Sequence, residues 1–242
     1  MSEAHEPDNL LDRHTAPATL AVQDEQIKRR ERVLLDRRLP LSGGDVLAVG
    51  CGWHPGRHLF PSPAFRLVGV DVDPAKVRAV VEGGEADEAV VGRSGELEFA
   101  DASFDVVLYR LVLHHVAYQG PLHPAFAEAA RLLRPGGAMV AVEPGLWHPV
   151  GAGLALANRA GLATRIHGTP DDIPLSPRAL AAQARGAGLE PELHAVTYTW
   201  RRLPGGLQRA LAPLDRLGSL RGLRAHGHTL MLIARKPAGV AG

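Results

Sequence analysis

An α/β fold wound as a mostly parallel sheet with helices on both faces is what this sequence predicts, and three observations predict it. Val46, Leu47, Ala48 and Val49 form an apolar run with no polar interruption, the pattern of a strand covered on both faces. Gly50-Cys51-Gly52 follows directly, a turn of small residues that lets a ligand approach the backbone. A second apolar run, Leu67-Val68-Gly69-Val70, ends on Asp71, about 20 residues on, where an acid can accept hydrogen bonds from ribose hydroxyls. Strand-like and helix-like patterns then alternate along the chain, which implies a doubly wound sheet.

In order, residues 1–20 read as a loose polar tail that orders over a ligand, and residues 21–242 as a single domain. Residues 22–38 are dense in charge with Ile27, Leu34 and Leu35 at helical spacing, so an exposed helix is expected, its Lys and Arg forming a solvated face and Pro40 ending it. The first strand is followed by a helix starting at Pro55, since proline is tolerated in a first turn. Asp73-Pro74 is an N-cap with proline at the first helical position, for a helix through about Val81. Residues 89–92 and 104–109 are the third and fourth strands. Phe126, Ala129, Ala130 and Leu133 mark an amphipathic helix over 124–133, stopped by Arg134-Pro135-Gly136-Gly137 before a strand at 138–142. Residues 145–177, rich in Gly and Pro, cover the ligand edge of the sheet as a substrate-covering insertion. A helix over 177–187 and strands at 194–200 and 229–234 complete the chain, the two late strands forming a hairpin-like edge.

The 242 residues are 45% hydrophobic and 22% charged with a net charge of +1, which suits one globular domain and offers no global attraction to nucleic acid. The N-terminal stretch lacks the basic start and apolar core of a secretory signal, and no apolar run approaches the ~18 residues of a membrane span; the expectation is a cytoplasmic protein. Cys51 is the sole cysteine, so there is no disulfide framework, and its place in the glycine turn fits a small packing residue. The 12 histidines include His54 and His58 four apart and His114-His115 adjacent, without the convergent spacing a metal site needs, and no metal is expected. His148 and His167 flank the Gly/Pro-rich segment and are the candidate general bases, against the reading that each is a surface histidine. Residues 200–225 carry Arg201, Arg202, Arg209, Arg216, Arg221 and Arg224 against one acid, Asp215, with Leu207, Leu211 and Leu214 at helical spacing and Pro213 interrupting them. That segment reads either as a solvated helix closing the sheet or as a surface for an anionic acceptor or membrane headgroups.

Four stretches, Val46–Gly52 (VLAVGCG), Leu67–Pro74 (LVGVDVDP), Ser103–Val116 (SFDVVLYRLVLHHV) and Leu133–Gly137 (LRPGG), together resemble class I S-adenosylmethionine-dependent methyltransferases of the small-molecule type. The resemblance spans about residues 45–142. It implies a Rossmann-like sheet of seven strands with the last antiparallel, and S-adenosylmethionine at the carboxyl ends of the first strands. It also implies that Gly50 and Gly52, with Cys51 between them, pass beneath the amino-acid and ribose parts of the cofactor and that Asp71, followed by Val72, holds the ribose. Arg93 and Ser94 would lie at the adenine, Arg110 and Leu111 near the methionine end, and His115 at the start of the next helix. Three departures stand out: Ala48 replaces the family's usual acid, Trp53-His54-Pro55-Gly56 delays the last glycine, and Arg93 replaces the aspartate that accepts the adenine amine. A guanidinium has only donors, so Arg93 would instead stack on the adenine face. Trp53 reads either as a partner for the sulfonium charge or as a packing residue.

The function expected is methyl transfer from S-adenosylmethionine to a small hydroxylated acceptor, an O-methylation, with an anionic acceptor among the options. Two other classes compete: a protein of this fold without methyl-transfer activity, which Ala48 and Arg93 keep open, and a nicotinamide-dependent oxidoreductase. The oxidoreductase shares the glycines and the ribose acid but gives no role to residues 104–116 and 133–137.

Overall fold

A computed structural model describes residues 17–162, 173–200, 203–217, 220 and 222–239, with side chains described from residue 24 onward. Seven strands form one sheet in the order β3-β2-β1-β4-β5-β7-β6. They are β1 Gly44–Val49, β2 Phe65–Asp71, β3 Glu88–Val91, β4 Phe104–Arg110, β5 Leu133–Pro144, β6 Glu190–Thr197 and β7 Thr229–Arg235. The first five run parallel, and β7 is antiparallel to both β5 and β6. The doubly wound sheet with an antiparallel last strand is therefore as expected. The two late strands pair, yet no tight turn joins them: residues 198–228 lie between, and β7 inserts between β5 and β6.

Strand periodicity sorts the apolar runs onto two faces. Leu47, Val49, Val68, Val107, Tyr109 and Met139 share one core with Phe126, Ala129 and Leu132 of α4 (His123–Leu132) and Leu180 and Ala184 of α6 (Pro177–Gly186). Val46, Ala48, Leu67, Val106, Leu108 and Val140 face the other core, with Leu35 and Leu39 from α1 (Pro17–Arg38) and its exit, and Val80 of α2 (Pro74–Glu82). Asp73 caps α2 as expected, its carboxylate accepting from the Ala75 amide at 2.8 Å.

Three expectations are corrected. Helix α1 starts at Pro17, earlier than residue 22. Its charged residues are also not merely solvated: Glu31 is 1% exposed and holds Arg110 and His58, while Arg30 meets Asp215 at 2.7 Å. No helix follows β1. Residues 50–64 run as turns because Pro55, Pro61 and Pro63 each push the residue before them out of the helical region. Leu59 and Phe60, both 1% exposed, fill the place a helix would cover, and burying each contributes about 1.5–3 kcal/mol. Arg57 fastens this loop to the carbonyls of Glu85 and Phe65 and to Asp87. Inside 145–177 lies a further helix, α5 Pro149–Arg159, and the described ends of the segment are joined by the Leu146 amide donating to the Leu175 carbonyl at 3.0 Å. No described helix is long and apolar enough to cross a membrane.

Candidate cofactor site

A cavity of about 740 Å³ opens at the carboxyl ends of β1, β2 and β4, where an open α/β sheet places its ligands. Its floor is the turn after β1. Gly50 and Gly52 both have left-handed backbones, φ +64° and +52°, which cost a residue with a Cβ roughly 1–2 kcal/mol. The two glycines are needed for different reasons. A Cβ on Gly50 would lie 2.2 Å from Val112 Cγ2, whereas one on Gly52 meets nothing within 4 Å and points into open space. Gly50 thus permits packing and Gly52 keeps the floor clear. Gly52→Ala is expected to lower stability by about 1–2 kcal/mol from the φ term alone, with a loss of S-adenosylhomocysteine affinity beyond that. Chemical denaturation and calorimetric titration separate the two effects.

Asp71 ends β2 and is 6% exposed. One oxygen accepts from the Gly52 amide at 2.9 Å and the other from the Asp73 amide at 3.0 Å. The acid therefore ties the two strand-end turns together while still lining the cavity, with lone pairs left over for a hydroxyl pair. Val72 beside it is 60% exposed on the same wall.

The opposite wall comes from the stretch after β3 and from α3 (Leu113–Gln119). Arg93 and Ser94 line it. Arg93 reaches Gln119 Oε1 at 3.4 Å, and Ser94 Oγ lies 3.3 Å from the Tyr109 hydroxyl, whose pKa burial drives upward. Glu128 of α4 holds this stretch by accepting from the amides of Gly95 and Leu97. Leu111 and His115 complete the predicted set on the cavity. Leu111 has φ +58°, an uncommon backbone for a residue with a Cβ, held because its amide donates to the Val142 carbonyl at 2.8 Å. The His115 ring lies 4.1 Å from that of His114.

Helix α3 has no side-chain cap of its own. Its N-terminus is capped from the next strand: Glu143, fully buried, accepts from the Val112 and Leu113 amides at 2.9 and 2.7 Å and pairs with His114 Nδ1 at 2.6 Å. A carboxylate there also complements the helix dipole. Neither Glu143 nor Glu128 was nominated from sequence, and no local motif marks them, because each acts on backbone about 30 residues away.

Three nominated residues lie elsewhere, and a fourth falls outside the described residues. Cys51 is buried against Gly69 and borders a second, small cavity beneath the turn; burial and then the Asp71 charge push its thiol to about 12, so it is inert packing. Arg110 borders the same small cavity with Ala48 and is turned to Glu31 at 2.9 and 3.2 Å. His148 caps α5: its Nδ1 accepts from the Val150 amide at 3.3 Å and its Nε2 sits 3.1 Å from the Tyr198 carbonyl. That pattern requires the neutral ring with Nε2 protonated, consistent with burial lowering its pKa. His167 lies outside the described residues. Trp53 is 56% exposed and not on the cavity wall, and no metal cluster occurs among the described residues.

The cavity fits a nucleoside-sized polar ligand. The floor at Gly52 is open, a buried acid stands at the strand end, and an elongated wall runs to Arg93 and Gln119. Comparison with known proteins agrees. Residues 47–141 match the family described as methyltransferase domain. A protein of Mycolicibacterium smegmatis named as a probable S-adenosylmethionine-dependent methyltransferase is 33% identical over 146 residues, 57% of this chain and 55% of that one. The 27-O-demethylrifamycin SV methyltransferase of Amycolatopsis mediterranei is 34% identical over 64% of this chain and 57% of its own. These matches span a little over half the length of those two relatives. Among solved structures, geranyl diphosphate C-methyltransferase of Streptomyces coelicolor, crystallised with S-adenosyl-L-homocysteine, superposes with a TM-score of 0.59 at 16% identity, covering 90% of this chain and 83% of that one. The parallel part of the strand order, the strand-end acid and the glycine floor lie within the stretch, residues 47–141, that matches the methyltransferase domain family.

Proposed function

We propose that this protein transfers a methyl group from S-adenosylmethionine to the oxygen of a small hydroxylated acceptor. The observation that carries the reading is the Asp71 carboxylate, buried at the end of β2 and hydrogen-bonded to the Gly52 amide across an open cavity floor. The sulfonium supplies an activated methyl group when the cofactor is bound. This chain's residues then bind and align. Asp71 accepts from the ribose hydroxyls, Gly52 keeps the floor free, Arg93 lies along the adenine, and Leu111 with Val112 shields the methionine end from water. Alignment and water exclusion are the main catalytic demands of a displacement in which charge disappears. Two relatives support the oxygen-directed form: the rifamycin enzyme above and a ubiquinone biosynthesis O-methyltransferase of Azorhizobium caulinodans, 37% identical over 42% of this chain and 40% of its own.

His148 and His167 are the proposed proton acceptors for the hydroxyl. His148 serves only once its two backbone hydrogen bonds open. The acceptor would sit under residues 145–177, and an anionic acceptor suits the arginines of residues 200–225. A cytoplasmic setting fits the sole cysteine, Cys51, being a buried thiol.

Calorimetric titration of the full chain tests the reading. S-adenosylhomocysteine is expected to bind and NAD is not. Asp71→Asn, which keeps an acceptor for the Gly52 amide but removes the charge, should weaken S-adenosylhomocysteine by about 10- to 100-fold, the scale of hydrogen bonds to a charged group. No heat with the sulfur nucleoside at millimolar concentration, or equal binding of NAD, would overturn it.

A further inference from the structure

Between β6 and β7 the chain forms α7 (Gly205–Leu211) and a 3₁₀ helix (Ala212–Leu217). This excursion leaves the sheet at the same end as the cofactor cavity, because Thr229, where β7 begins, pairs with both Pro144 at the end of β5 and Thr197 at the end of β6. Leu207, Leu214, Leu217, Leu220 and Leu223 are between 37% and 54% exposed. The last four are three residues apart. Backbone hydrogen bonds run from the Leu220 amide to the Leu217 carbonyl and from the Leu223 amide to the Leu220 carbonyl, at 2.9 and 3.0 Å. In a 3₁₀ helix side chains at i and i+3 eclipse, so Leu214 and Leu217 share a face, and the exposed Leu220 and Leu223 extend the apolar stripe beyond its end.

The charge beside the stripe has a single sign. Arg209 and Arg216 are exposed and Arg224 half-buried. The one acid of the segment, Asp215, is withdrawn: its side chain is 9% exposed, pairs with Arg30 of α1 at 2.7 Å, and accepts from the Tyr198 amide. None of the leucines lines either cavity, so they do not converge on a small ligand. The segment is also braced. The Tyr198 hydroxyl donates to the Leu223 carbonyl at 2.9 Å, and the Trp147 and His226 rings lie 5.5 Å apart, fixing the stripe to the strand ends. Exposed leucines flanked by arginines, with the acid buried, match a bilayer surface carrying negative headgroups.

We propose that this leucine and arginine face docks the protein on an anionic lipid bilayer, with the cofactor end of the sheet toward the membrane. Binding needs both components: the leucines enter the headgroup region and the arginines meet the lipid charge.

The test is co-sedimentation of the full chain with vesicles of phosphatidylcholine alone and of phosphatidylcholine with about 30% phosphatidylglycerol, a strongly charged surface. Partitioning onto the anionic vesicles is expected to exceed that onto neutral ones about tenfold or more, and to fall at about 0.5 M salt as the charges are screened. Arg209→Gln with Arg216→Gln should lower partitioning onto anionic vesicles about tenfold, each arginine near the surface being worth several-fold. Leu217→Glu with Leu220→Glu should abolish it. S-adenosylhomocysteine titration of each variant reports the fold independently of lipid, and the arginine pair, fully at the surface, covers the case in which the leucine variant misfolds. No partitioning of the unmodified chain, equal partitioning onto both vesicles, or partitioning unmoved by the arginine variant would overturn the proposal. A dimer in sedimentation velocity that the leucine variant dissociates, without vesicle binding, would assign the face to a second copy instead.

Discussion

Glu143→Ala is expected to lower the unfolding free energy by about 3–5 kcal/mol, the scale for breaking a fully buried ionic or charge-assisted network by removing one partner. Three donors lose their acceptor at once: the amides of Val112 and Leu113 and the His114 ring. Glu143 is 0% exposed and His114 4%, so water cannot replace the lost bonds without opening the core. The effect should reach the cofactor site as well, since α3 carries His115 and Gln119 on the cavity wall. Glu143→Gln separates chemistry from shape. Its amide oxygen can still accept from the two backbone amides and its NH₂ can donate to a neutral His114 Nδ1, so most of the stability should return. Urea unfolding of both variants gives the numbers; equal losses for Ala and Gln would mean that the charge, and not the hydrogen-bond pattern, holds the helix start.

The second large effect is expected at Glu31. This carboxylate, 1% exposed, lies 2.8 Å from His58 Nε2 and 2.9 Å from Arg110 Nε. Burial alone would raise its pKa, but the hydrogen bond from His58 and the charge and hydrogen bond of Arg110 outweigh that and hold it below the ordinary 4.5. Glu31→Ala leaves the half-buried Arg110 without the carboxylate it pairs with and is expected to cost about 3 kcal/mol, the low end of the scale for breaking a buried pair. The linkage has a definite sign. A carboxyl that binds its proton less readily folded than unfolded adds stability that is fully present above about pH 4.5 and lost as pH falls through its lowered folded value. The unmodified chain should therefore lose stability below pH 4.5 more steeply than Glu31→Gln does. Parallel acid titrations followed by circular dichroism would reject this if the two profiles ran together.

These two residues also mark what separates the readable from the unreadable in this chain. The sheet was legible because parallel strands buried on both faces need unbroken apolar runs, and Val46–Val49 and Leu67–Val70 display them. The glycine turn was legible because left-handed backbone at Gly50 and Gly52 and an acid at the end of β2 are local demands that leave local residues. Helix α2 was legible from its own cap, Asp73-Pro74. The stretch after β1 was not, because its prolines fit equally a helix start and a helix block. What decided between them was tertiary: Leu59 and Phe60 found a core site between α1 and the sheet.

The arginines of α1 read as solvated for the same reason. Nothing within the helix shows that Arg30 meets Asp215, or that Glu31 meets Arg110 79 positions away. Sequence by itself determined the strand order's raw material, the glycine floor and the strand-end acid, since each is set by backbone conformation and neighbouring side chains. Only the tertiary structure decided which charges are buried, which nominated residues turn from the cavity, as Cys51 and Arg110 do, and which distant carboxylates, Glu143 and Glu128, shape it. The physical reason is that a buried charge is tolerated only where a partner neutralises it, and that partner comes from folding, not from sequence neighbourhood.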